Sequence, residues 1–339
     1  MTKLCMLAIW MGKFPNTFDL WKQTVLNNPT IDFYVITDNE GLRDEGNLRF
    51  MHMTLPEVKQ RFQRLMDFRI TLETPYKICD YKPLYGEAFQ EITKDYEFWG
   101  HMDLDIILGD VRAFLTEEMF QTYDKLFEAG CFVIYRNTEE MRNLYKLSMD
   151  KENMAYPYKK AFRCDYACYF DEYMGMNILG WKYQKKVFRD QTTEDVVQDF
   201  GWQTLDFCSY ITKESFVMQW KDGKLYRHLC DEAGRIKEGT AKEYMLVHIQ
   251  KRKMEVNITP EEFSAGRELW IIPNCFQAER PQGELYTEQE KQQYAELIRE
   301  NDKKRSIRNL KQFGPIQYIP HFIRSRRIRK WIFKEKGFF

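Results

Sequence analysis

The chain has 339 residues, and its 51 Lys and Arg residues balance 51 Asp and Glu residues. Hydrophobic residues make up 44% of it and charged residues 30%, which is typical of a globular protein and excludes a disordered one. No apolar run approaches the roughly 20 residues of a bilayer-spanning helix, and the first residues lack the cleavage site of a secretory signal. The eight cysteines show no paired zinc-ligand spacing. We therefore expect a cytoplasmic chain with reduced thiols.

Hydrophobic periodicity predicts strands and helices that alternate along the first half of the chain. Predicted strands cover residues 4–10, 31–37, 47–53, 98–108 (the last part as a loop) and 131–137. Predicted helices cover residues 18–27, 55–68, 83–92 and, in short pieces, 111–126. A hairpin at 225–239, a strand at 243–250 and a polar helix at 288–301 follow. This order predicts an α/β fold with a mostly parallel central sheet flanked by helices, which would bind ligands at the carboxyl ends of its strands.

Asp103 and Asp105 form the strongest candidate site, because they end an apolar segment and are separated by one residue. Residues two apart in a strand point to the same side. Paired carboxylates suit Mg²⁺ or Mn²⁺ held together with substrate phosphates. The spacing alone favours solvated loop residues or a helix cap, whereas the apolar segments on both sides favour a metal site.

Two further pairs of residues carry candidate chemistry. Lys82 near the start of a helix could contact phosphate, and Asp80 could accept hydrogen bonds from sugar hydroxyls or simply cap that helix. Asp171 and Glu172 lie in an aromatic stretch. A partly desolvated carboxylate there would have a raised pKa and could act as a general base. A helix N-terminus with favourable acidic residues is the alternative.

His248 lies near the end of the predicted strand at 243–250, three residues before the basic run Lys251, Arg252 and Lys253. A neutral imidazole can complete a divalent-metal site, and the cations can bind a diphosphate. A structural histidine and a solvated end of a hairpin are the alternatives.

The neutral total hides a basic C-terminal tail. From Lys303 to Phe339 there are twelve Lys and Arg residues and one acid, so the tail carries +11. Within it Ile328, Trp331 and Ile332 have helical spacing and would share one face. A basic helix with such a face suits an anionic membrane surface, and docking on the body of the protein is the alternative. A nucleic-acid partner is not expected, because the body adds no second basic patch.

The motifs occur in one order: K-x-C-D-Y-K-P, then W-G-H-x-D-x-D, then D-E among aromatic residues, then V-H-I-Q-K. Over roughly residues 4–255 this order resembles bacterial glycosyltransferases of the GT-A type with a D-x-D motif, closest to polysaccharide-biosynthesis transferases. Their openings are similar to W-M-G-K-F-P-N-T-F and I-D-F-Y-V-I-T-D in this chain. Lys82 stands where the more distant capsular and mannosyl transferases usually have Arg.

The resemblance implies a role for each candidate residue. Asp103, Asp105 and His248 would hold Mn²⁺ or Mg²⁺. Lys251 would help to neutralise the leaving diphosphate. The remaining roles are those of the substrate contacts: Trp10, Gly12, Thr37 and Asp38 near the nucleotide, Asp80 and Lys82 at the donor sugar or diphosphate, and Asp171 or Glu172 facing the acceptor.

The domain organisation that the resemblance implies has three parts. A catalytic domain would span 1–255, with a nucleotide-sugar half at 1–137 and an acceptor half at 138–255. An extension at 256–301 would pack on this body, and the basic tail would follow at 302–339.

The predicted function is metal-dependent transfer of a sugar from a nucleotide-diphosphate sugar, with a UDP-sugar favoured, to a glycan or lipid-linked acceptor. We expect it in surface-polysaccharide assembly at the inner face of the plasma membrane. Two alternatives stay open. A metal-dependent phosphohydrolase or nuclease could use the same acidic pair, although two-metal sites need more carboxylates than the sequence places at strand ends. A non-catalytic protein that binds membranes or polymers would leave the D-x-D motif without a role.

Overall fold

The structure is a computed structural model, and it describes residues 1–148, 156–189, 193–195, 207, 209, 212–250 and 254–336. Its strands are β1 (Leu4–Trp10), β2 (Asp32–Thr37), β3 (Leu48–His52), β4 (Phe98–Met102), β5 (Ile106–Leu108), β6 (Lys125–Leu126), β7 (Phe132–Arg136), β8 (Val187–Phe188), β9 (Thr193–Asp195), β10 (Phe216–Lys221), β11 (Lys224–Leu229), β12 (Lys242–Tyr244), β13 (Leu246–His248), β14 (Glu255–Asn257), β15 (Leu269–Ile272) and β16 (Cys275–Gln277).

The helices are mostly short, apart from the last one. The α-helices are α1 (Phe18–Leu26), α2 (Leu55–Gln63), α3 (Tyr85–Ala88), α4 (Gln90–Thr93), α5 (Glu117–Thr122), α6 (Glu139–Arg142), α7 (Tyr158–Ala161), α8 (Met176–Lys182), α9 (Pro260–Ser264) and α10 (Glu288–Lys336). Three further segments are 3₁₀-helices: Pro75–Leu84, Val111–Ala113 and Leu144–Lys146.

The central sheet has seven strands in the order β3-β2-β1-β4-β7-β6-β8. Strands β1 to β4 run parallel to one another, and β7 runs antiparallel to both β4 and β6. The first five residues of β1 are buried, as expected for a parallel strand covered on both faces. The predicted α/β class with a mostly parallel central sheet is therefore confirmed, as is a helical C-terminal region.

Two segments that were each predicted to hold one strand, the first of them running into a loop, each contain two strands. The segment at 98–108 contains β4 and then β5, and the segment at 243–250 contains β12 and then β13. The reason is that both chain segments change sheets. Strands β5 and β13 pair with each other in a three-stranded sheet of order β5-β13-β9, whereas β12 pairs with β11. This small sheet brings His248 at the end of β13 next to Asp105, which directly precedes β5.

The third sheet has six strands in the order β12-β11-β10-β15-β16-β14. Its hairpin joins β10 to β11 through Asp222 and Gly223, which both have positive φ, as a two-residue turn requires. The hairpin predicted at 225–239 is confirmed, because Cys230 and Ile236 form an antiparallel bridge on either side of a turn. The proposed boundary at 255 falls inside this sheet, because β14 to β16 pair within it.

The predicted helices at 55–68 and 83–92 also differ from the structure. Helix α2 ends at Gln63. Pro83 lies inside a 3₁₀-helix, and the chain then breaks at Phe89, whose φ of −117° and ψ of 45° are not helical. Phe89 is buried and packs edge-on against Phe62, so the break places an aromatic ring in the main core.

Helix α10 carries the basic tail and is interrupted at Gly314, whose φ of 70° and ψ of 156° are not helical. After Pro315 the helix runs along the body, and Ile328 is fully buried in the main core. Of the two alternatives for Ile328, the structure supports docking on the body and not contact with a membrane. The side chains of Trp331 and Ile332 lie outside the described residues. No helix in the described ranges is long and apolar enough to cross a membrane.

Candidate functional site

The site begins at the carboxyl edge of the central sheet. Asp103 directly follows β4, which runs parallel to β1, so the carboxyl ends of β1, β2 and β4 share one edge. Strand β13 places His248 opposite Ile106, and the Ile249 N–H donates to the carbonyl oxygen of Asp105 over 2.8 Å. As a result one ligand atom from each of Asp103, Asp105 and His248 lies within 4.8 Å of the others.

These three residues fit a small divalent cation. His248 Nε2 is 3.5 Å from Asp105 Oδ1. Two carboxylates and one imidazole are the oxygen and nitrogen donors that Mn²⁺ and Mg²⁺ accept. Ligand atoms about 2.1 Å from one ion lie within about 4.2 Å of each other. The observed spacing of up to 4.8 Å would therefore need only a small inward movement.

Lys82 connects this group to the acidic pair of the aromatic stretch. Its ammonium is 2.7 Å from Asp103 Oδ1 and 3.5 Å from Asp171 Oδ2, and it donates to the Gly130 carbonyl over 2.7 Å. Burial acts to lower the pKa of Lys82, but the charges of the two carboxylates outweigh it and hold that pKa well above the usual value. These internal partners surround the ammonium, and the predicted donor contact of Lys82 stays a prediction.

Asp80 is fully buried, with 0% of its surface exposed. Its carboxylate accepts hydrogen bonds from Lys77 Nζ at 2.6 Å and from the backbone N–H groups of Cys168 and Phe170. Both predicted roles, the sugar contact and the helix cap, are therefore corrected. Asp80 connects the 3₁₀-helix Pro75–Leu84 to the aromatic stretch through its hydrogen bonds. The sequence analysis missed Lys77, although its spacing of three residues from Asp80 was a usable signal.

Asp171 and Glu172 differ in their environment. Asp171 is only 3% exposed, and burial raises the pKa of its carboxyl well above the usual value although Lys82 opposes the shift. Glu172 is half-buried, and its Oε1 accepts a hydrogen bond from the Gly130 N–H at 2.8 Å. A Cβ atom on Gly130 would lie 2.6 Å from an oxygen of each acid, so a larger residue there would have to displace both carboxylates. No signal in the sequence points to this role of Gly130.

The ends of β1 and β2 form a polar turn that contains the four predicted nucleotide residues. Trp10 lies beside Thr37 in the strand register, and the Gly12 N–H donates to Asp38 Oδ1 over 2.7 Å. The Asn39 side chain donates to the Gly12 carbonyl and to Thr37 Oγ1, each over 2.8 Å. A cavity adjoins this turn, and its lining residues are Thr37, Asn39, Glu40, Gly41, Leu42, Phe50 and His52.

Two sets of residues complete the comparison with the sequence. Lys251 lies outside the described residues, so its predicted diphosphate contact stays a prediction. Asn39, Phe50 and His52 were missed by the sequence analysis. The signal that could have found them is the turn D-N-E-G that ends β2, together with the neighbouring parallel strand β3.

A family model matches residues 6–280, which is most of the chain. The chain belongs to DUF6625, a family of unknown function. Among curated proteins, no sequence matches this member of DUF6625.

Several solved structures are similar to this DUF6625 chain at low sequence identity. Mouse xyloside xylosyltransferase 1 has 9% identity and a TM-score of 0.39, over 58% of this chain and 88% of that one. The glycosyltransferase GlyE of Streptococcus pneumoniae TIGR4 has 10% identity and a TM-score of 0.32, over 57% of this chain and 46% of that one. An active-site mutant of LgtC has 12% identity and a TM-score of 0.36, over 72% of this chain and 86% of that one.

Proposed function

We propose that the chain is a GT-A-type glycosyltransferase that moves a sugar from a nucleotide-diphosphate sugar to a glycan or lipid-linked acceptor. The observation that carries this proposal is the meeting of Asp103, Asp105 and His248 at the carboxyl edge of the sheet. Parallel sheets bind nucleotides at that edge, and such a ligand group suits a cation held with phosphates. The proposed setting is surface-polysaccharide assembly at the cytoplasmic face of the membrane.

The donor nucleotide is assigned to the turn after β2 and its adjoining cavity. Asp38 is an acceptor for ribose hydroxyls at the end of a parallel strand, a position used for that contact in nucleotide-binding sheets. Phe50 gives the cavity an aromatic wall, and Asn39 and His52 give it polar groups that can fix the orientation of a base. We take a uridine nucleotide as the first donor to test.

Mn²⁺ or Mg²⁺ held by Asp103, Asp105 and His248 would supply positive charge where the diphosphate leaves. In the transfer, the bond from the anomeric carbon to the diphosphate oxygen breaks and an acceptor hydroxyl forms the new bond to that carbon. Lys82 fixes the orientation of Asp103 through its 2.7 Å contact. The site therefore keeps one metal-binding carboxylate in place before the donor arrives.

The proton of the acceptor hydroxyl needs a base if the transfer inverts the anomeric carbon. Glu172 suits this role better than Asp171, because it is half-buried whereas Asp171 is almost fully enclosed and contacts Lys82. The Gly130 N–H holds Glu172 from one side. Glu172 is therefore the proposed base and Asp171 its buried neighbour.

The experiment that tests the proposal is a thermal-shift panel of nucleoside diphosphates and nucleotide sugars, with Mn²⁺ and with EDTA. Binding at a hundredfold excess over Kd stabilises the folded state by about 2.7 kcal/mol. We expect one nucleotide to raise the melting temperature with Mn²⁺ only, and Asp105→Asn to abolish the rise. Asp95→Asn is the matched control, because this exposed aspartate precedes β4 at the opposite edge of the sheet.

Turnover is then measured with the nucleotide that binds. Release of nucleoside diphosphate together with sugar transfer to a glycan or lipid-linked acceptor supports the proposal. Hydrolysis of phosphodiesters without any response to nucleotide sugars would assign the acidic pair to the phosphohydrolase alternative. Folded protein that responds to no nucleotide would contradict the donor site.

A further inference from the structure

The second half of helix α10 has one face docked on the body. Ile328 is buried in the core, His321 Nδ1 is 3.1 Å from the Tyr156 hydroxyl, and Ser325 Oγ is 3.1 Å from the Tyr173 hydroxyl. These three helix residues are separated by four, three and seven positions, so they share one side of the helix. Burial lowers the pKa of His321 to about 4, so the docked side is uncharged at this residue at neutral pH.

The outward side of the same segment is apolar. Ile316 is 87% exposed and Ile319 is 47% exposed, and Phe322 and Ile323 are also exposed. Ile316, Ile319 and Ile323 are three, four and seven residues apart, so they too share a face. Of the eight large hydrophobic side chains exposed among the described residues, six belong to α10. The apolar exposure is thus concentrated on one helix.

Exposed cations follow the apolar residues along the helix. Arg326, Arg327 and Lys330 are exposed and come one to two turns after Ile323. The sequence from Lys303 to Phe339 has twelve basic residues against one acid. A positively charged face with aliphatic side chains suits a bilayer surface, which has both negatively charged headgroups and an apolar acyl-chain layer. A nucleic acid has the negative charge but no apolar layer in which aliphatic side chains could be buried.

We infer that the outward side of α10 after Gly314 binds an anionic lipid bilayer surface, while its inner side stays docked on the body. The membrane contact is defined by Ile316, Ile319, Phe322, Ile323, Arg326, Arg327 and Lys330. The helix lies in the plane of the surface and does not cross it. This inference is independent of the proposed glycosyl transfer.

The docking also places the membrane relative to the site. Tyr173, which bonds Ser325, is the neighbour in sequence of Glu172. The body of the protein therefore meets the membrane through a helix that touches the acceptor-side stretch. Together with the proposed glycosyl transfer, on which this last step rests, the geometry favours acceptors that are themselves held at the bilayer.

The test is flotation of the full chain with phosphatidylcholine vesicles that contain or lack phosphatidylglycerol. We expect binding to the anionic vesicles, weakened by salt. Replacing Ile316, Ile319 and Ile323 by Ser should abolish flotation without changing the melting temperature, because these side chains are exposed. The matched control replaces Leu297 and Ile307 by Ser, because these residues of α10 are as exposed as Ile319 and Ile323 but precede Gly314.

The charge contribution is tested with Arg326, Arg327 and Lys330 replaced by Gln. At about 1 kcal/mol for each cation, the affinity for anionic vesicles should fall on the order of a hundredfold. Equal binding to neutral and anionic vesicles would overturn the inference. So would full flotation of the Ile-to-Ser variant, loss of flotation in the control, or tighter binding to single-stranded DNA than to vesicles. A chain that fails to float with anionic vesicles at low salt would also overturn it.

Discussion

Lys82 offers the sharpest test of the buried charge network, because Lys82→Met removes the ammonium and nearly preserves the side-chain volume. Removing one partner of a buried ion pair costs about 3–5 kcal/mol. Asp171 is almost fully enclosed and loses its cation, whereas Asp103 is 30% exposed at its side chain and can turn to water. The loss should therefore fall at the lower end, at about 3 kcal/mol of unfolding free energy.

Urea unfolding followed by circular dichroism measures this loss. Adding Asp171→Asn to Lys82→Met should recover more than about 1 kcal/mol, because the stranded charge is then removed as well. Lys59→Met is the matched control: Lys59 pairs with Glu73 at the surface, where such pairs contribute up to about 1 kcal/mol. The reasoning is refuted if Lys82→Met costs no more than Lys59→Met, or if the double variant is no more stable than Lys82→Met.

Three further substitutions test neighbouring parts of the site by urea unfolding. Burial lowers the pKa of Lys125 from 10.5 to about 8, so the unfolding free energy of the wild type should increase by up to about 3 kcal/mol as the pH rises between these values. Lys125→Met should reduce this increase, and an unchanged increase would show that Lys125 does not cause it. Gly130→Ala should lose at least about 1 kcal/mol, because its Cβ would meet Glu172 Oε1 at 2.6 Å, and wild-type stability would show that the turn can shift. Asp80→Asn should cost about 3–5 kcal/mol, since it strands the buried Lys77 ammonium; a loss below 1 kcal/mol would contradict that role.

The sequence predicted the local part of the fold well. Strands β1 to β3 and helix α1 lie within about one residue of their predicted ends, because each has a clear apolar period and a turn at its border. The strand errors occur where the chain changes sheets, at β4 to β5 and at β12 to β13, whereas the helix errors lie at the end of α2 and at the break at Phe89. Which strand a segment pairs with depends on residues far away in the sequence, and periodicity does not contain that information.

In the candidate site too, local features were predicted from the sequence and distant contacts were not. The spacing of Asp103 and Asp105 and the position of His248 after a strand were enough to select three residues that do meet. Asp80 and Lys82 were selected correctly as unusual charged residues, but their partners were not foreseen. A buried charge and a ligand-binding charge look alike in a sequence, because only the tertiary structure decides which one water can reach.

The hydrogen bonds of Asp80 also bear on how the protein folds. They join residues that are 88 and 90 positions apart in the chain. Closing loops of that length costs entropy, and structures rich in such distant contacts fold slowly. The stretch that carries Glu172 should therefore order late, after the parallel strands have assembled. A ribosome-bound chain would contain Asp103 and Asp105 well before Asp171 and Glu172 are synthesised, so the stretch that carries Glu172 is the part most exposed to misfolding during synthesis.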